Sequence, residues 1–116
     1  MKIGLFDHLE RSTDRPLAQQ FDERLEFVTA ADQAGFYCLH VAEHHSSPLN
    51  MVPAPSIYLS AVARATKKIR MGALVYLLTL CTPLRLAEEI CMLDHLSKGR
   101  FEFGIGRSGI TKYYHG

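Results

Sequence analysis

A carboxylate followed by two adjacent imidazoles, Glu43-His44-His45, is the stretch of this chain best equipped for proton chemistry. Imidazole changes charge near neutral pH and serves as a general acid or base. The three residues follow an apolar segment, 36–41, that reads as a buried strand, and polar groups are costly to place beside a core. Neighbours in extended chain point to opposite sides, so His44 and His45 do not both face one ligand. One ring is the candidate base, with Glu43 placed to orient a ring. The same residues also read as a hydrogen-bonded cluster that only shapes a loop. Histidines and a carboxylate are ligand types for zinc or iron, and His8 and His40 are further donors. Adjacent histidines lack the spacing that sets two rings on one helix face, so no metal site is assigned.

A second candidate is Gly104-Ile105-Gly106-Arg107-Ser108-Gly109. It matches G-x-G-x-x-G, but a dinucleotide fingerprint belongs after a first strand with an acidic residue about 20 positions later. The narrower expectation is a backbone that approaches an anion closely, with Arg107 as a fork for phosphate; a tight turn with an exposed arginine is the plainer alternative. Gly72-Ala73-Leu74-Val75-Tyr76 carries small residues that make room for a flat ligand or simply pack a sheet. Glu88-Glu89 and Asp94-His95 read as structural, with Asp94 expected to bond backbone near Ser97 and Gly99. Tyr113-Tyr114-His115 reads as a frayed end.

The elements that must position these groups alternate. Residues 2–6 read as a short strand. Leu17, Phe21, Leu25, Val28 and Ala31 recur at helical spacing, and Gly35 stands where a helix ends. A second strand covers 36–41. Pro53 and Pro55 introduce a helix carrying Ile57, Ala61, Val62 and Ala65. Residues 69–78 form a long apolar strand. Thr82-Pro83 is expected to cap a third helix, which runs to Ser97-Lys98-Gly99, and a fourth strand covers 101–105. Strands alternating with helices mean βαβ units, right-handed crossovers and a parallel sheet. Ligands then bind at the carboxyl ends of the strands.

Composition narrows the classes of function. The 116 residues hold one domain, and a net charge of +1 offers no field for steering nucleic acid. Lys67, Lys68 and Arg70 read as a solvated helix end. No apolar run is long enough for a membrane span or a signal peptide, and the cytoplasm is the expected compartment. Cys38, Cys81 and Cys91 are odd in number, lack metal-knuckle spacing and read as reduced core residues.

Together these residues resemble the bacterial luciferase-like flavin monooxygenase family. The resemblance runs in order through residues 2–6, Ala34-Gly35-Phe36, Ala42-Glu43-His44-His45, Gly72, the segment 82–88 from Thr82-Pro83 to Glu88, and the segment 93–106 from Leu93-Asp94-His95 to Gly106. It implies a (β/α)8 TIM barrel, of which residues 1–116 hold about the first four βα units. It implies flavin mononucleotide (FMN) at the strand ends, with reduced flavin supplied by a separate reductase and reacting with O2 to oxidise a small organic substrate, an aldehyde in luciferase itself. His44 matches the luciferase base, with Glu43 and His45 as its expected partners. Arg107 matches a flavin-phosphate contact. Leu74-Val75 matches a cis peptide behind the flavin ring, next to Ala73, and Gly106 stands where luciferase has a reactive cysteine. Half a barrel leaves two open edges, so either a fragment or a dimer covering its edges is expected. A deazaflavin (F420)-dependent hydride transfer and a non-catalytic, edge-pairing subunit are the alternatives.

Overall fold

A computed structural model describes residues 1–47 and 50–107 of the chain. Four strands alternate with three α-helices: β1 (Gly4–Asp7), α1 (Leu17–Ala34), β2 (Cys38–Val41), α2 (Pro55–Ala65), β3 (Arg70–Leu77), α3 (Pro83–Leu96) and β4 (Phe101–Gly106). A 3-10 turn, Leu78–Leu80, links β3 to α3. The sheet order is β1-β2-β3-β4 and every pairing is parallel. This is the parallel sheet expected from the alternation, and it is consistent with the partial barrel that the resemblance implies; strand ends shift by one or two residues.

Register separates the two faces. Leu5, Leu39, Met71 and Phe101 align across the sheet and join the core formed with Val28, Leu59, Val62, Leu86 and Leu93 of the helices. The next row, Phe6, His40, Gly72 and Glu102, lies on the opposite face because side chains alternate along a strand. On that face His40 Nε2 lies 2.8 Å from Glu102 Oε2, and Arg70 Nε donates to Glu102 Oε1 at 2.6 Å. The bridge from β2 to β4 passes over Gly72, which has no side chain in the way; a Cβ there would collide with the Glu102 carbonyl oxygen.

Local chemistry explains the ends of the elements. Gly35 takes φ +90°, Phe36 N–H donates to Ala31 O at 3.1 Å and Gly35 N–H to Asp32 O at 3.2 Å, the paired bonds of a left-handed helix stop. Asp32 is buried, and its carboxylate accepts the backbone N–H groups of Lys67, Lys68 and Ile69 at 2.7–2.9 Å. The basic group at 67–70 is therefore more than a solvated helix end. Its backbone is anchored on α1, and Arg70 belongs to β3. Arg100 holds the start of β4 against the end of α2, donating to Ala63 O at 2.7 Å and Thr66 Oγ1 at 2.8 Å.

Thr82 is the N-cap of α3 with Pro83 first in the helix, as expected, although the Thr82 side chain makes no capping hydrogen bond. Two further expectations need correction. The Asp94 carboxylate does not bond the following turn; the Asp94 carbonyl accepts from Gly99 N–H at 2.9 Å and from Ser97 Oγ at 3.2 Å. Cys38 and Cys81 are half-buried and Cys91 is exposed on α3, so the free thiols are not uniformly core residues. Among the described residues no helix is long and apolar enough to cross a membrane. Ser108, Gly109 and the 113–115 segment lie outside the described residues.

Candidate functional site

Parallel pairing brings the carboxyl ends of all four strands to one rim. His8 follows β1, residues 42–45 follow β2, Leu77 ends β3 and Arg107 follows β4. Glu43 turns inward from this rim. It is 7% exposed, and its carboxylate is fully engaged: Oε2 accepts the backbone N–H of Leu77 at 3.0 Å and Oε1 lies 2.7 Å from His45 Nε2. Glu43 thus ties the segment after β2 to the end of β3 and orients His45.

His44 and His45 diverge, as extended backbone requires. His45 is half-buried beside Glu43, whereas His44 is exposed. The His44 ring lies nearly parallel to that of His8, with centroids 6.1 Å apart and planes 9° apart. Phe6 meets His8 edge-on at 4.7 Å. Glu43 and His45 therefore serve each other, whereas the His44 ring lies against His8.

The flavin-binding candidates fall on β3 and β4. Ala73 is buried, Leu74 is 47% exposed and Val75 is half-buried. The Leu74–Val75 peptide is cis, and the β3–β4 register shifts between Ala73 and Tyr76. A Cβ on Gly104 would strike the Ala73 carbonyl oxygen, and one on Gly106 would come within 2.5 Å of Val75 Cγ2. These glycines, like Gly72, admit a neighbouring strand, in keeping with the sheet-packing reading of the 72–76 segment. What the segment does offer is the exposed apolar side chain of Leu74 beside Val75. Arg107 is exposed and forms no ion pair among the described residues. An exposed apolar side chain and a guanidinium are the group types that meet a flat aromatic carrying phosphate.

A separate cavity of about 630 Å³ lies between α2 and α3, lined by Glu43, His45, Tyr76, Ile57, Leu86 and Met92 among others. Tyr76 Oη lies 2.9 Å from Ser56 Oγ, and burial pushes the phenol up to about 12 against the opposing effect of that hydrogen bond. His44 and Arg107 do not line it. They follow β2 and β4, which are two strands apart in the sheet order. Among the described residues no group of three or more His, Cys, Asp or Glu side chains is placed to hold a metal ion. Sequence reading placed His8 and His40 only as spare metal donors. His8 belongs beside His44, and His40 bonds Glu102; the signal for both was register, which one strand alone does not carry.

The family model described as luciferase-like monooxygenase matches residues 1–115. The protein y4wF of Sinorhizobium fredii is 50% identical over 110 residues, 95% of this chain and 32% of that protein. The oxygenase component of the flavin-dependent trigonelline monooxygenase of Acinetobacter baylyi is 32% identical, over 98% of this chain and 32% of its own length. The oxygenating constituent of 3,6-diketocamphane monooxygenase from Pseudomonas putida, solved with FMN, superposes with a TM-score of 0.90 at 30% identity, over 100% of this chain and 32% of that one. The chain spans about a third of the length of the curated relatives it matches.

Proposed function

This chain belongs to the luciferase-like monooxygenase family, and from that premise we propose that it forms the flavin-binding part of an FMN-dependent monooxygenase acting on a small organic substrate. The observation that carries the reading is the rim itself. An exposed imidazole follows β2, the exposed apolar side chain of Leu74 stands on β3 one residue beyond the partner of the last β2 residue, and an exposed guanidinium follows β4. FMN in its reduced form supplies the reaction with O2, and a separate reductase delivers it, a reading supported by the "oxygenase component" wording of a relative.

In this reading Arg107 clamps the flavin phosphate. Leu74 and Val75 back the ring, with Ala73 and Gly106 holding β3 and β4 close beneath them. His44 takes or returns a proton at its ring edge. Glu43 and His45 hold the loop that carries His44. The test is quenching of flavin fluorescence on titration of the chain, with a deazaflavin titrated in parallel to separate the two cofactors. Saturable quenching by FMN, weakened about tenfold or more in Arg107→Ala, is the expected result for loss of a charge-assisted phosphate contact. A chain that leaves flavin fluorescence unchanged does not bind it.

A further inference from the structure

His44 does not stand alone at the rim, and the backbone that presents its neighbour is held from several sides. Asp7 O accepts the N–H of Ala42 at 3.2 Å, which fixes the end of β1 against the residue that leads into Glu43-His44. The Asp7 carboxylate accepts Leu9 N–H at 2.8 Å and pairs with Arg24 at 3.1 Å. On the far side of His8, Asn50 Nδ2 donates to the His8 carbonyl at 2.7 Å and Met51 N–H to Leu9 O at 3.0 Å. Leu9 is fully buried and takes φ +53°, a left-handed conformation that a leucine adopts only where its surroundings impose it. Burying Leu9 turns the preceding side chain outward, so an exposed imidazole sits on a tightly determined turn.

That ring lies parallel to His44, with Phe6 edge-on behind it. Among the described residues no hydrogen bond holds the nitrogens of either ring. Among the described residues the ring contact with His8 restrains the plane of His44, and exposed side chains without such a restraint change rotamer within nanoseconds. We propose that His8 is a positioning residue for His44: its parallel, offset ring limits rotation of the His44 ring and leaves the His44 nitrogens to meet a ligand above the sheet. The functional value of this role rests on the reading of His44 as the proton-handling group. The geometric role does not.

The test uses the 116-residue chain with 13C-labelled histidine. Ring order parameters are measured for His44, with exposed His95 on α3 as the internal control. In the unaltered chain, cross-relaxation peaks between the His8 and His44 ring protons are expected, and their absence overturns the proposal without any variant. His8→Ala should lower the His44 order parameter from roughly 0.8 to below about 0.6 while His95 is unchanged. His8→Phe keeps a ring face and should restore the original value. An unchanged order parameter in His8→Ala, or a loss in His8→Phe as large as in His8→Ala, overturns it. Failure of flavin binding appears in the quenching titration alone and leaves this measurement intact.

Discussion

At the scale of single residues, the Glu-His-His run separates into two jobs. Glu43 engages both oxygens, one of them on a backbone N–H of the neighbouring strand end. Glu43→Ala should therefore cost about 2 kcal/mol in urea unfolding, since it strands the buried Leu77 N–H; Glu43→Gln keeps an acceptor there and should cost clearly less. Glu102 gives a pH signature. Burial works to raise its carboxyl, but the hydrogen bonds from Arg70 and His40 outweigh burial and hold it below the usual range. A carboxyl depressed by folding contributes stability that is complete above its unfolded value, about 4.3, and is lost as pH falls through the lower folded value. The urea midpoint should drop as pH descends below about 4, with a smaller drop in Glu102→Gln. Asp32 acts in the same direction and will leave part of the slope in place, because its three backbone donors also outweigh burial.

At the scale of elements, the β3–β4 pair is the tightest joint, and glycines make it so. A methyl on Gly106 would sit 2.5 Å from Val75 Cγ2, and valine is stiff at χ1, so it does not swing aside freely. Gly106→Ala should lose about 1–3 kcal/mol in unfolding experiments, and Val75→Ala in the same chain should recover part of that loss. Element identities were legible from the sequence because hydrophobic period and punctuation are local: Gly35 ends α1 and Pro55 begins α2, as expected. Thr82 and Pro83 open α3 as expected, but that the Thr82 hydroxyl makes no capping bond was not legible, since a hydroxyl's choice of partner depends on backbone geometry that residue type leaves open.

At the scale of the molecule, the sheet is covered on one face, and among the described residues no further strand pairs with β1 or β4 at its edges. Phe103 and Ile105 are 47% and 53% exposed on β4, and Phe6 is 51% exposed on β1. Open parallel edges flanked by apolar side chains favour association. The isolated chain should sediment with increasing mass as concentration rises, and a monomer at every concentration would count against pairing. By itself the sequence determined the class of fold and the family, because alternation of strand and helix and the ordered run of matching residues are properties of a line of letters. Only the tertiary structure decided which groups share a site. It set His44 beside His8, turned Glu43 and His45 under the rim, and spent Gly72, Gly104 and Gly106 on strand packing. The reason is register: pairing between strands about 30 residues apart in sequence selects neighbours that no single segment encodes.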